Sequence, residues 1–309
     1  MSVMQSESGL IFHVIHGSFV DGYGIRTTVF LKGCPLRCRW CCNPEGQNLY
    51  PEIKLTAAEC DGCGNCLQVC PCDAIRINPL KRDERITIDR TLCTNCGKCI
   101  DVCYNGALDI FGKRVTVEGL FETIKKDEQF YRSSGGGVTI GGGEPTLQPR
   151  FTYALLKICK QNYIHTAVDT CGYTDTQEGF RILAEADLLL FDLKGMDPHV
   201  HFKNTDVSNE EILTNLKKLN DLAKPIIVRV PIIPGFTDSE ENIGLTVRFL
   251  AKLRSVERID LLSYHEYGRV KYTQLGKEYK LVSKSPSKKR MDEIKCIFER
   301  SGLKTQLGG

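Results

Sequence analysis

Cysteine spacing constrains this chain more than any other feature. Of its 16 cysteines, all but Cys159, Cys171 and Cys296 fall between Cys34 and Cys103. Two runs repeat one C-x2-C-x2-C-x3-C pattern. CDGCGNCLQVCP carries Cys60, Cys63, Cys66 and Cys70, and CTNCGKCIDVCY carries Cys93, Cys96, Cys99 and Cys103. Adjacent C-x2-C repeats present several thiolates to one centre, which is metal ligation rather than the closing of loops by disulfides. Zinc sites favour pairs of C-x2-C set further apart. The pattern is that of two 4Fe–4S clusters, in which the fourth cysteine of each run ligates the other cube. It assigns Cys60, Cys63, Cys66 and Cys103 to one cluster, and Cys93, Cys96, Cys99 and Cys70 to the second. Tyr104 stands where proline usually follows the fourth cysteine, which leaves the ligands intact. Cys72 is an extra thiol, read as a non-ligand. The three outlying cysteines read as ordinary buried thiols.

A third cluster is built differently. GCPLRCRWCCNPEG spaces Cys34, Cys38 and Cys41 as C-x3-C-x2-C. Three thiolates on a four-iron cube leave one iron open to an external ligand, as a catalytic zinc keeps an open position. Cys42 is not read as a fourth ligand, because it would close that position.

The chain has 309 residues, enough for about two domains. Lys plus Arg is 41 and Asp plus Glu is 38, a net charge of +3 that is too even to indicate nucleic acid or an anionic membrane. No apolar run approaches the ~20 residues of a membrane span. The N-terminal segment MSVMQSESGLIFHVIHG lacks a basic n-region, a long apolar core and a small-residue cleavage site, so a cytoplasmic protein is expected. The basic run KLVSKSPSKKR (280–290) reads as a solvated linker before a helix.

Outside the cysteine-rich block at 51–113, strand and helix patterns alternate. Strands are expected at 26–32, 137–142, 165–170, 187–194, 225–233 and 258–265. Helices are expected at 117–132, 150–162, 176–186, 208–223, 239–254 and 287–302. Ser208 with Glu211 forms an expected capping box. The strands are apolar nearly throughout, as in a parallel sheet covered on both faces. Repeated βα units imply a barrel-like or doubly wound α/β domain, whose sites lie at the strand C-termini. Those ends carry Cys34, Gly142 to Glu144, Asp169, Thr170, Asp192 to Lys194, Arg229 and His265.

With Trp40 before its last cysteine, the C-x3-C-x2-C loop resembles that of the radical S-adenosylmethionine (SAM) superfamily. The segments DGYGIRTTVFLKGCPLRCRWCCNPE, SSGGGVTIGGGEPTLQ, VDTCG, FDLKGMD, VPIIPGFTDSEENI and LLSYHEYGRVKYTQLG resemble, in that order, the activating enzymes of glycyl radical enzymes. The likeness spans essentially the whole chain and points to the larger branch with a two-cluster insert. It implies an α/β fold: a partial (β/α)6 TIM-like barrel formed by 1–50 and 114–309. Residues 51–113 would then be an inserted α+β domain of bacterial-ferredoxin type.

The resemblance also implies an activity. Cys34, Cys38 and Cys41 would hold the catalytic cluster, whose open iron binds SAM. Reductive cleavage of SAM would give methionine and a 5′-deoxyadenosyl radical, which takes an α-hydrogen from a glycine of a partner enzyme. Gly142, Gly143 and Glu144 match a motif whose backbone receives the SAM amino group, and the glycines are expected to permit that approach. Asp192, Leu193, Lys194, Arg229 and His265 match groups around the SAM carboxylate and ribose. Trp40, Cys41 and Cys42 match the segment beside the adenine. Asp169, Thr170 and Asp192 match ligands of a monovalent cation, Na+ or K+. Tyr23, Gly141, Cys42 and Cys171 depart from the family's usual residues without removing a ligand. The implied cofactors are three 4Fe–4S clusters and SAM. The implied partners are a glycyl radical enzyme and a flavodoxin or ferredoxin donor, with no nucleic acid or membrane, and the protein itself a monomer. Two other readings stay open on the residues: a radical SAM enzyme acting on a small molecule or another peptide residue, and a non-catalytic electron carrier.

Overall fold

The computed structural model describes residues 7–78, 85–281 and 283–308. Residues 1–6 of the N-terminal segment, 79–84 of the cysteine-rich block and Val282 of the basic run lie outside the described residues. The chain opens with strands β1 (Ser8–Ser18) and β2 (Arg26–Leu31). The cysteine-rich block then holds β3 (Glu52–Leu55), α1 (Asn65–Gln68), β4 (Ile75–Ile77), β5 (Ile86–Ile88), α2 (Lys98–Asp101) and β6 (Leu108–Phe111). After β7 (Lys113–Thr116) come α3 (Val117–Lys125), α4 (Glu128–Ser134), β8 (Gly137–Gly142), α5 (Pro149–Gln161), β9 (His165–Thr170), α6 (Gln177–Glu185) and β10 (Leu188–Asp192). The remainder is α7 (Pro198–Thr205), α8 (Glu210–Asp221), β11 (Ile226–Ile232), α9 (Glu240–Leu250), β12 (Val256–Ser263), α10 (Arg269–Gln274), α11 (Lys288–Arg300) and β13 (Thr305–Leu307). Among the described residues no helix is long and apolar enough to cross a membrane.

One nine-stranded sheet runs in the order β13-β12-β11-β10-β9-β8-β2-β1-β7. From β2 to β13 every neighbouring pair is parallel, whereas β1 pairs antiparallel with both β2 and β7. The sheet is therefore an open, partial barrel with β13 and β7 at its edges. The six strands expected from sequence form its parallel centre, and β13 adds a seventh.

Side-chain alternation explains the layering. In β10, Leu189 and Phe191 face the main core under the helices, while Leu188 and Leu190 face a small inner cluster with Ala167 and Ile227. The inner face also carries fully buried Arg26, whose guanidinium donates to Thr139 Oγ1 at 2.6 Å and to the Val138 carbonyl at 2.6 Å.

Several local expectations are corrected. The single helix expected at 117–132 breaks into α3 and α4, with Asp127 preceding α4. Ser208 does not cap α8. Its N-cap is Asn209, whose buried side-chain amide instead donates to the carbonyls of Gly195 and Met196, both at 2.9 Å. Within the basic run Leu281 is buried, and Arg290 pairs with Glu240 at 2.7 Å.

The β8 end approaches β2 so closely that side chains are excluded. Gly143 N donates to the Leu31 carbonyl at 2.8 Å, and Glu144 N to the Gly33 carbonyl at 2.7 Å. A Cβ on Gly143 would lie 2.1 Å from that Gly33 oxygen, and Gly142 holds φ +95°, a left-handed conformation that favours glycine. Gly143→Ala is expected to cost about 1–3 kcal/mol through overpacking, seen as a lower thermal unfolding midpoint. An unchanged midpoint would show that the two strand ends are not locked together.

Candidate functional site

A cleft opens at the C-terminal ends of the parallel strands, lined by both charged and apolar side chains. The loop after β2 contributes Cys34, Cys38, Trp40, Cys41 and Cys42 to its wall. From β8 and β9 come Gly142, Gly143, Asp169 and Thr170, and from β10 to β12 come Asp192, Lys194, Arg229 and His265. Two expected contacts do not line it. The Glu144 carboxylate and Leu193 pack behind the wall, fully buried and 2% exposed.

The cysteine loop is held from both sides. Cys34 N donates to the Gln47 carbonyl at 3.0 Å, while Arg37 N and Arg39 N donate to the Thr205 and Asn204 carbonyls of α7 at 2.7 and 3.0 Å. Leu36, Trp40, Ile233, Tyr264 and Leu281 form an apolar jacket around it, with Phe236 edge-on to Trp40 at 6.2 Å. Burial pushes the Cys34 thiol up to about 12 and Cys38 up to about 11. Iron entering this loop must therefore displace thiol protons, as metal binding at thiolates does. Cys34, Cys38, Cys41 and Cys42 all line the cleft, and the thiols of the first three, at C-x3-C-x2-C spacing, are a donor set that suits a cube with one iron left free.

Opposite the cysteines, charges alternate along adjacent strand ends. Arg229 Nη2 donates to Asp169 Oδ1 at 2.5 Å and its Nε to Asp192 Oδ1 at 3.0 Å. Lys194 Nζ donates to Asp192 Oδ2 at 2.7 Å. Burial alone would raise both carboxylates. Asp192 is nevertheless held below the usual range by Lys194 and Arg229, whereas Asp169 is pushed up to about 7 despite Arg229. The carboxylates expected to ligate a monovalent cation are thus bridged by a guanidinium.

Glu144 acts as a post behind this wall. It accepts from Thr170 Oγ1 at 2.8 and 2.9 Å, from Cys171 N at 2.8 Å and from Thr146 N at 3.2 Å. Thr170 therefore turns its hydroxyl away from the two aspartates. The glycines before Glu144 answer to strand β2, as shown above, rather than only to a ligand. Sequence reading missed Pro231 and Ile233, which line the cleft with Arg229 at a spacing of two. That alternation along β11 was the available signal. It also missed Cys171, which lines the cleft. Cys159 is buried as expected, but Cys296 is exposed.

The inserted block holds two further cavities. Cys60, Cys63, Cys66 and Cys103 line one, and Cys70, Cys93, Cys96 and Cys99 line the other, together with Cys72. Each cavity draws three sulfurs from one run and the fourth from the other, so the donor sets suit a pair of cubes. A polar seam ties the block to the barrel. Lys32, fully buried, donates to Glu52 Oε2 at 3.1 Å, and Lys277 pairs with Glu52 Oε1 at 3.1 Å. Arg90 donates to the Ile53 carbonyl at 2.5 Å and to the Gln274 carbonyl of α10 at 3.1 Å.

Arg229→Met should leave Asp169 and Asp192 without their shared partner and cost about 3–5 kcal/mol, the price of breaking a buried ion pair. Arg229→Lys should recover only part of this, because an ammonium cannot span both carboxylates. Thermal unfolding of both variants checks the order. Equal midpoints in wild type and Arg229→Met would mean that the bridge does not hold the strand ends.

Comparison with known proteins agrees with this architecture. A family described as the Radical SAM superfamily matches residues 101–245, and one described as a 4Fe-4S dicluster domain matches residues 59–107. The chain is 41% identical to the trans-4-hydroxy-L-proline dehydratase activating enzyme of Clostridioides difficile, over 97% of this chain and 99% of that one. It is 41% identical to the choline trimethylamine-lyase activating enzyme of Oleidesulfovibrio alaskensis, over 89% of this chain and 90% of that one. It is 38% identical to the 4-hydroxyphenylacetate decarboxylase activating enzyme of Clostridioides difficile, over 100% of this chain and 98% of that one. With likeness of this extent joined to both cysteine architectures, the chain belongs to the activating enzymes of glycyl radical enzymes, within the radical SAM superfamily.

Proposed function

We propose that Cys34, Cys38 and Cys41 hold the cluster at which this activating enzyme cleaves SAM, and that the charged ends of β9, β10 and β11 hold the methionine end of SAM. The observation that carries this reading is that a three-cysteine loop and the Asp169–Arg229–Asp192–Lys194 array share one cleft. When bound, the reduced cluster and SAM supply methionine and a 5′-deoxyadenosyl radical, which takes the α-hydrogen of a partner glycine.

This chain's own residues bind and orient. Arg229 and Lys194 are the cations available to the SAM carboxylate, and Gly142 and Gly143 expose backbone beside it. Trp40, Cys42 and His265 border the remainder of the cleft for the adenosine. A SAM carboxylate that draws Arg229 away would leave Asp169 and Asp192 with negative charge that Na+ or K+ offsets. The apolar jacket of Leu36, Ile233 and Tyr264 excludes water from the reacting end. The Cys60–Cys63–Cys66–Cys103 and Cys70–Cys93–Cys96–Cys99 sets would hold two more cubes, three in all. A flavodoxin or ferredoxin is the donor, and the protein works as a monomer on its glycyl radical partner. Activators of chemically different partners lie at nearly equal identity, 37% for a (2S)-3-sulfopropanediol dehydratase activator and 42% for an isethionate sulfite-lyase activator. The shared features therefore belong to radical generation rather than to the chemistry of any one partner.

Anaerobically reconstituted protein, reduced with dithionite and given SAM, should form 5′-deoxyadenosine, and a Cys34/Cys38/Cys41→Ala variant should form none. Adding its cognate glycyl radical enzyme should yield a glycyl radical signal by electron paramagnetic resonance. Deoxyadenosine without that signal would favour a small-molecule substrate. Added K+ should tighten SAM binding in the wild type and have no effect in Asp169→Asn, measured by equilibrium dialysis. An equal response in both would remove the carboxylates from the cation's site.

A further inference from the structure

The second cavity of the inserted block contains one thiol too many for a cube. Cys72 lines it together with Cys70, Cys93, Cys96 and Cys99. Its Sγ stands 3.8 Å from Cys70 Sγ. Nothing in the spacing of the two runs calls for this sulfur, which lies outside both C-x2-C-x2-C-x3-C patterns.

The backbone places it there deliberately, as the matching half of the block demonstrates. In both halves the residue two positions after the fourth cysteine lines that half's neighbouring cavity, Cys72 in one and Asn105 in the other. In both, the next residue holds a positive φ, 48° at Asp73 and 68° at Gly106. A buried alanine follows, Ala74 or Ala107. A backbone amide donates to the fourth sulfur in each half, from the alanine itself in one (Ala74 N to Cys70 at 3.3 Å) and from the residue after it in the other (Leu108 N to Cys103 at 3.4 Å). The left-handed turn is costly for a residue with a side chain, so Asp73 marks a fixed geometry. One turn design therefore aims a side chain at each cavity, and only one of the two side chains is a ligand-grade sulfur.

We propose that Cys72 is a reserve ligand for the cluster of this cavity, able to take iron in place of Cys70. The inference rests on the reading that the cavity holds a 4Fe–4S cube. In the exchange, the iron–sulfur bond to Cys70 breaks and one to Cys72 Sγ forms. The Cys72 thiol proton passes to the released Cys70 sulfur beside it, and no electron moves. Asn105 gives the other cavity no such substitute for Cys103.

The experiment compares full-length wild type with Cys70→Ala, Cys103→Ala, Cys72→Ala and Cys70→Ala/Cys72→Ala, all reconstituted anaerobically with iron and sulfide. Wild type, Cys72→Ala and Cys70→Ala should each carry about twelve irons, while Cys103→Ala and the double variant should each carry fewer, the cube left with three thiolates losing at least its unligated iron. Iodoacetamide labelling with mass-spectrometric mapping supplies a second readout. Cys72 should be alkylated in wild type and protected in Cys70→Ala. Loss of iron from Cys70→Ala equal to that from Cys103→Ala, or equal labelling of Cys72 in both proteins, overturns the proposal. Loss of iron from Cys72→Ala alone would overturn it too, by making Cys72 a primary ligand. A wild type holding only about four irons would instead sink the two-cluster reading beneath it. None of these counts depends on SAM cleavage, so they are independent of whether the barrel cleft is correctly assigned.

Discussion

Three neighbouring strands end in charge, and one guanidinium reconciles them. Asp192 sits in register with Arg229 across β10 and β11, and Asp169 lies one residue before the end of β9 on the other side. All three side chains are largely withdrawn from water, with exposures of 18%, 23% and 12% for Asp169, Asp192 and Arg229. Buried charges of one sign would not tolerate that arrangement, whereas an alternating series does. Lys194 extends the series from Asp192 toward the cysteine loop. The fold thus fixes strong, compensated fields along one wall of the cleft. A zwitterion placed against it would meet both signs of charge without having to create a pocket for either.

The seam beneath the inserted block obeys a related rule with a different balance. Lys32, Lys277, Lys271 and Arg90 gather there, and among the described residues only Glu45 and Glu52 are paired with them as anions. The surplus is positive. Arg90 also lies near enough to Cys93 and Cys99 for their thiolate forms to oppose the effect of its burial. Cubes held by thiolates are anionic, and net charge is one of the quantities that sets their potential. Fixed cations between the barrel and the block would therefore enter the electrostatics of clusters bound there as well as those of the joint.

Much of this was legible in the sequence because the strongest signals were local. Thiolate spacing prescribes which sulfurs can reach one cube, and the cavities group the cysteines in the same sets. The six central strands announce themselves as apolar runs such as LLLF and IIV. What escaped was non-local or weak. β1 mixes apolar and polar residues because its outer half is exposed, and β7 and β13 are only four and three residues long. The short helices α7 and α10 carry little periodicity, yet α7 holds the cysteine loop and α10 the seam. Ser208 looked like a cap because the motif was local, but burial of Asn209 moved the helix start by a tertiary contact. Glu144 was assigned by position in a motif, and only packing reveals that its carboxylate faces inward.

The inserted block leaves and rejoins the barrel through a single pair of strands. β3 and β6 run antiparallel, with Glu52 opposite Phe111 and Leu55 opposite Leu108. The residues at which the chain departs and returns are therefore neighbours, and the sheet's strand order takes no account of what lies between them. In evolutionary terms this is a socket. A tight turn joining Leu55 to Leu108 would close the pair into a hairpin, the parallel sheet would keep its connectivity, and the block could be gained, lost or exchanged between lineages without redesigning the barrel that it serves.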